Sequence, residues 1–378
     1  MSKINTHAEA NIASSSSEST DSAVVNPKVR VVEIDDNNEG QRIDNYLLSV
    51  LKGVPKSHIY RILRKGEVRV NKGRIKPEYK LQDGDTVRIP PVRISPTSEP
   101  AKPSKQLSQC LEAAILYEND EVLVINKPSG LAVHGGSGVR LGLIESLRQM
   151  RPDSRFLELV HRLDKDTSGC IMVAKKRSCL RHLQQELRER RINKIYQALV
   201  LERWPNRRRR VNLALVKNKL ANGGHIVKGV PPGSREYNSD QYSTAQGNAK
   251  KKPSRNRPSG NAEETTNKPK ESLTEYRIIK RYTGNESSDT CTLVEAKPVT
   301  GRTHQIRVHC QSLGCAIIGD DKYGNEAINK RFRHLGLKRL FLHAYRLEFT
   351  LTDKTPVVVE APLASDLTAV FNHLTESH

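Results

Sequence analysis

Nine residues, His161-Arg162-Leu163-Asp164-Lys165-Asp166-Thr167-Ser168-Gly169, separate the apolar run Leu157 to Val160 from the strand-like run Cys170 to Ala174. Two strands joined by so short and so charged a segment must turn at the margin of a core, because ionised groups cannot follow the strands into it unpaired. Two Asp, one His and two cationic side chains crowd this connection, so opposite charges either pair with one another or face a charged ligand. A turn held between strands is also where a carboxylate is both rigid and reachable. The competing reading is a solvated charged turn.

With 378 residues the chain is long enough for two domains and additional segments. Its formal charge of +21 points to a polyanionic partner, since neutralising phosphates releases their counterions. Nucleic acid is the default partner. No stretch approaches the roughly 18 to 20 apolar residues of a spanning helix, and the N-terminus lacks an apolar secretory core, so no membrane partner and a cytoplasmic location are expected. Cys110, Cys170, Cys179, Cys291, Cys310 and Cys315 form no C-x-x-C pair and read as reduced packing residues.

Residues 1–28 carry Ser14-Ser15-Ser16-Ser17 and few large apolar side chains, the composition of a disordered tail. In the next unit, 29–91, Ile43, Leu47, Val50 and Leu51 share one helical face, and Ile59, Ile62 and Leu63 share another. Gly66 ends the second helix, and a hairpin follows around Asn71-Lys72-Gly73. Between Gln41 and Lys80 there are 11 Lys or Arg against 3 acids, a net +8. Two basic helices and a small hairpin resemble the S4 RNA-binding domain, with Arg61, Arg64, Lys65, Arg69, Lys72 and Arg74 as phosphate contacts. Tyr46, Tyr60 and Tyr79 are the aromatics available for stacking. Prolines 90, 91, 96, 100 and 103 mark a linker over 92–114, before a larger unit over 115–378. That unit mixes strands and helices irregularly, which makes the class α+β. Its pattern lapses over about 232–268, read as a disordered insertion. In Gly301-Arg302-Thr303-His304-Gln305-Ile306-Arg307-Val308-His309, Thr303 is the expected cap of a helix that Gly314 ends. Two His here suggest zinc, but the partners such a site needs are not clustered nearby, so no metal is expected.

Taken together, His161-Arg162-Leu163-Asp164 with Thr167-Ser168-Gly169, Lys194-Ile195-Tyr196, and Gly301 to His309 resemble the RluA-type pseudouridine synthases, from about Val29 to the C-terminus. The Gly53 to Lys72 segment and the stretch from Lys127-Pro128-Ser129-Gly130 to His134-Gly135-Gly136 are similar to members that act on bacterial large-subunit ribosomal RNA. The resemblance implies a largely antiparallel mixed sheet with a central cleft. It also implies isomerisation of uridine to pseudouridine without cofactor, in 23S ribosomal RNA or an assembling large subunit. By the same resemblance Asp164 is the catalytic carboxylate, Tyr196 lies against the base, Arg307 pairs with Asp164, and Arg162 fills the gap left by a flipped uridine. An Arg favours the ionised carboxylate this chemistry needs. Asp166, two residues from Asp164 in the same short turn, cannot stand across a sugar from it as a glycosidase pair does.

One alternative is a non-catalytic S4-type RNA-binding protein, which gives no reason for Asp164, Tyr196 and Arg307 to occur in their three segments. Another is a serine hydrolase built on Ser168 and His161, but no G-x-S-x-G elbow surrounds Ser168. No heptad or apolar interface pattern stands out, and a monomer is expected. Deleting residues 232–268 is expected to leave turnover nearly intact. A loss of ten-fold or more, about 1.4 kcal/mol of transition-state stabilisation, would contradict the insertion reading.

Overall fold

The computed structural model describes residues 29–35, 38–51, 53–92, 102–136, 139, 141–219, 225–231, 269–284 and 289–377. The tail and the insertion at 232–268, both read as disordered from composition, lie outside the described residues. The chain divides into two compact units, Met1–Thr97 and Ser98–His378. Among the described residues no helix is long and apolar enough to cross a membrane.

The first unit contains β1 (Arg30–Glu33), α1 (Ile43–Val50), α2 (Lys56–Arg64), β2 (Arg69–Val70), β3 (Gly73–Arg74) and β4 (Thr86–Ile89), with sheet order β1-β4-β2-β3. The helices meet the sheet through the apolar faces that their spacing marks: Ile43, Leu47, Ile59, Ile62 and Leu63 pack with Val70, Val87 and Ile89. The basic side chains Arg61, Arg64, Lys65, Arg69, Lys72 and Arg74 all remain exposed. Tyr46 does not share that surface. At 4% exposure it belongs to the core, so it drops out as a base-stacking residue. The hydroxyls of Tyr60 and Tyr79 donate to Asp44 and Asp85, which ties both rings to the fold.

The second unit opens with α3 (Lys105–Ala113), β5 (Ile115–Glu118), β6 (Val122–Lys127), α4 (Leu143–Met150), β7 (Glu158–Leu159), β8 (Ser168–Ala174) and α5 (Arg177–Arg188). It continues with β9 (Asn193–Leu201), β10 (Arg210–Lys219), β11 (His225–Val230), β12 (Lys270–Gly284) and β13 (Thr290–Pro298). The last elements are α6 (Gln305–Ser312), α7 (Glu326–His334), β14 (Leu342–Thr350), β15 (Pro356–Glu360), α8 (Ser365–Thr368) and β16 (Leu374–Ser377). The described strands form one 12-stranded sheet with the path β11-β10-β12-β13-β9-β14-β8-β6-β5. Its strands are antiparallel neighbours except at β14–β8, and the α+β class holds.

Two local expectations are corrected, and two strands are added. The second half of the expected linker is α3, because Ser104 accepts the Leu107 N–H as an N-cap and Leu111 is fully buried. Prolines end at Pro103, leaving a capped, amphipathic run behind them. The strands β10 and β11 were not apparent, since their short alternation runs into a polar insertion. The cap of α6 is His304 rather than Thr303, in a left-handed conformation at φ 54°.

Register fixes where the Asp164 turn sits. His343 of β14 pairs with Ser168 on one side and Gln197 on the other, which brings the end of the turn level with the residue after Tyr196. The parallel pair runs at close quarters because Gly169 has no side chain. A Cβ there would stand 2.3 Å from the Ala344 carbonyl oxygen, and its φ is +107°. Gly169→Ala is therefore expected to destabilise the second unit by about 3 kcal/mol, the sum of backbone strain and overpacking. Urea unfolding of the two proteins measures this, and an unchanged midpoint would contradict the close approach.

Candidate active site

The Asp164 turn, the start of β9 and the segment from Pro298 into α6 enclose a cavity of about 460 Å³. Asp164, Tyr196, Arg307 and Arg162 all line it, so the residues singled out from three distant segments share one pocket. Asp164 keeps about a fifth of its side chain exposed, within reach of a ligand. Arg162 is exposed and has no ion pair among the described residues. Arg188, Arg190, Lys194 and Arg302 add further cations to the lining.

Arg307 is placed by a helix that is buried almost all round: Gln305, Ile306, Val308, His309 and Cys310 are inside as well. Its guanidinium is 3% exposed and needs a full set of partners. The main partner is Asp320, not Asp164. Arg307 Nε donates to Asp320 Oδ2 at 2.7 Å and Nη2 to Oδ1 at 2.6 Å, a bidentate pair, while Nη1 alone turns toward Asp164 at 4.0 Å. The expected Arg307–Asp164 pair is thus a long-range attraction resting on a tighter one. Asp320 Oδ1 also accepts the N–H groups of Lys322 and Tyr323, and the Tyr323 ring lies 5.1 Å from the guanidinium carbon. Burial works against the Arg307 charge, but the hydrogen bond and charge of Asp320 outweigh it and raise its pKa.

Tyr196 packs against two apolar clusters. Burial, and then the charge of Asp164, push its hydroxyl well above the ordinary phenol range, so it is a neutral group able to donate. His161 is held as a neutral acceptor. Its Nε2 accepts the Met172 N–H, and burial pulls its pKa down to about 3.

The turn is braced from behind by the loop after β6. Gly130 N–H donates to the Lys165 carbonyl, Ser129 Oγ to the Asp166 carbonyl, and Lys127 Nζ to the carbonyls of Pro128, Leu131 and Lys165. Three acceptors match the three protons of an ammonium. Burial lowers Lys127 to about 7, against the pull of Asp166 and Asp164, and those three carbonyls favour the charged form further. At the other end Ser168 Oγ accepts from Arg339 at 2.9 Å and lies 2.9 Å from His343 Nδ1, with Arg339 held by Asp366. Ser168 is thereby a buried fastening residue, and the Ser168–His161 couple of a hydrolase is not brought together.

This arrangement has relatives. A model of RNA pseudouridylate synthases matches residues 121–312, and one of S4 domains matches 41–87. Ribosomal large subunit pseudouridine synthase C of Pasteurella multocida is 48% identical over 94% of this chain and 97% of its own length. The chain belongs to the RNA pseudouridylate synthase family. The protein of that name from Haemophilus influenzae is 46% identical over 94% of this chain and 98% of its own. Human RNA pseudouridylate synthase domain containing 4 shares the fold, with a TM-score of 0.52 at 24% identity over 71% of this chain and 97% of its own.

Within this pseudouridylate synthase, sequence reasoning missed Asp320, His304, Tyr323 and Lys127 as parts of the site. A signal was present for Asp320: Gly319-Asp320-Asp321-Lys322-Tyr323-Gly324 packs two acids between glycines just after a helix carrying a buried arginine. Asp320→Asn, which keeps shape and removes charge, is expected to cost about 3 to 5 kcal/mol of stability, because it leaves the Arg307 charge buried without its counter-ion. Thermal unfolding together with turnover measures it, and a protein of unchanged stability would contradict the central role of this pair.

Proposed function

We propose that this enzyme isomerises specific uridines of bacterial large-subunit (23S) ribosomal RNA to pseudouridine, with Asp164 as the catalytic carboxylate, acting as a cytoplasmic monomer without metal or organic cofactor. The observation that carries the reading is the convergence of Asp164, Tyr196 and Arg307 on one cationic cavity. The full-length similarity to ribosomal large subunit pseudouridine synthases supports the choice of substrate.

The chemistry follows from that geometry. Uridine in folded RNA presents neither C1′ nor C5 to a side chain, so the nucleotide must rotate out of its stack into the cavity. Arg162 lines the rim without an ion partner among the described residues, and its planar guanidinium can take the vacated place and hydrogen-bond the orphaned base. The N1–C1′ bond then breaks. Asp164, with the Arg307 cation beside it, stabilises positive charge at C1′ or bonds to it. The uracil turns, C5 bonds to C1′, and the C5 hydrogen leaves as a proton while N1 gains one, so the product is an isomer. Tyr196 stacks on the base and, being protonated, can donate to it. Arg61, Arg64, Lys65, Arg69, Lys72 and Arg74 on the S4 unit hold phosphates, which adds affinity with little reading of sequence.

Release of tritium from 5-tritiated uridine in ribosomal RNA tests the reading, because a binding protein cannot remove the C5 hydrogen. Asp164→Asn is expected to lower release by at least about 10³-fold while RNA binding is retained. Release at the wild-type rate would remove Asp164 from the mechanism. Absence of release by the wild-type chain would favour the S4-type binding protein.

A further inference from the structure

His304 faces the same carboxylate as Arg307 and is not accounted for by the chemistry above. Its Nε2 lies 3.9 Å from Asp164 Oδ2, and Arg307 Nη1 lies 4.0 Å from that same oxygen. Both donors converge on Oδ2. The His304 backbone is left-handed, φ 54° and ψ 20°, a strained conformation for a residue with a side chain, and the ring is 12% exposed. Such strain, about 1 to 3 kcal/mol, persists where surrounding contacts enforce it.

Those contacts also fix the proton. Tyr323 Oη lies 2.8 Å from His304 Nδ1 and accepts the Val227 N–H at 2.9 Å. A phenol has one proton to give. Among the described residues no other acceptor is hydrogen-bonded to Tyr323 Oη, so assigning its proton to Nδ1 leaves the neutral imidazole with its own proton on Nε2, toward Asp164. The rings meet edge to face at 5.5 Å, which holds the imidazole plane. The charged groups around the ring oppose one another. Burial, Arg307 and Lys322 favour the neutral form, Asp164 and Asp320 favour the cation, and the balance lies below the ordinary histidine value.

We propose that His304 is a positioning residue for Asp164: Tyr323 locks its tautomer, and its Nε2–H joins Arg307 Nη1 in holding Oδ2 so that Oδ1 addresses the ribose. The distances of 3.9 and 4.0 Å shorten to hydrogen bonds when RNA closes the cavity, as catalytic contacts commonly do on substrate binding. An uncharged donor suits this place. A second full cation would bind the carboxylate too tightly for it to reach C1′. The inference rests on Asp164 acting at the sugar.

Three variants of the full chain, assayed by tritium release from pH 5.5 to 8.5, separate this from a merely structural role. Removing a preorganised donor typically costs about 10²- to 10³-fold, so His304→Leu is expected to lose about 100-fold in kcat with KM little changed. His304→Gln, whose amide N–H can replace the donor, is expected to recover to within about ten-fold of wild type. Tyr323→Phe keeps the ring under Arg307 but frees Nδ1 to take a proton. A new acidic limb should then appear in kcat, below the ordinary histidine value of about 6.5 because burial, Arg307 and Lys322 remain, and absent from the wild type. Equal kcat for the Gln and Leu variants, or a Tyr323→Phe profile that superimposes on wild type, would overturn the proposal. Nitrogen-15 spectra of the histidine-labelled protein, with His304→Gln to assign the signal, need no RNA. They should show His304 neutral with its proton on Nε2, and a cation or the other tautomer at pH 7 would overturn the proposal even if turnover is normal. Wild-type protein that shows the expected tautomer but releases no tritium would instead count against the reaction assigned to the site.

Discussion

A guanidinium that is 3% exposed and a carboxylate that is 1% exposed, Arg307 and Asp320, organise the centre of this enzyme. Taking two charges out of water is costly, and the cost is offset here by two parallel hydrogen bonds, two backbone N–H donors and an aromatic face. The pair leaves one nitrogen of Arg307 directed at Asp164. An arginine bound directly and bidentately to Asp164 would neutralise the carboxylate and occupy both its oxygens. Held by a different acid at 4.0 Å from Asp164, it faces that carboxylate with a positive charge while leaving it accessible.

The same economy governs the turn that carries Asp164. Its two ends are fastened by different means, an ammonium and two short donors from the loop after β6 at one end, and the Ser168, His343, Arg339 and Asp366 network at the other. These partners act mainly on backbone carbonyls and on Ser168, and they leave the side chains of Arg162 and Asp164 toward the cavity. In the proposed reaction, where Asp164 meets C1′, such support matters because a small misplacement costs much of the rate.

Function is divided between the units on physical grounds. The S4 unit offers exposed cations on a small independent core, which suits the long-range and sequence-tolerant attraction of phosphates. The larger unit supplies a partly enclosed cavity in which hydrogen bonds and charges act at short range. Neither task requires the other's geometry.

Much of this was legible in the chain. Helical spacing gave α1 and α2 their buried faces, the charge gave the polyanionic partner, and the motifs around Asp164, Tyr196 and Arg307 gave the family and three walls of the site. These are local properties: periodicity, composition and short patterns survive without knowledge of what lies opposite. The N-cap of α6, the burial of Tyr46, the strands β10 and β11, and the pairing of Arg307 with Asp320 depended on neighbours brought in by the sheet. The sequence by itself determined which residue types the site would contain. Only the tertiary structure decided which acid binds the arginine, which nitrogen of His304 faces Asp164, and which oxygen of Asp164 the two donors approach, because those choices rest on distances between β8, β9, α6 and the loop after it that no local pattern encodes.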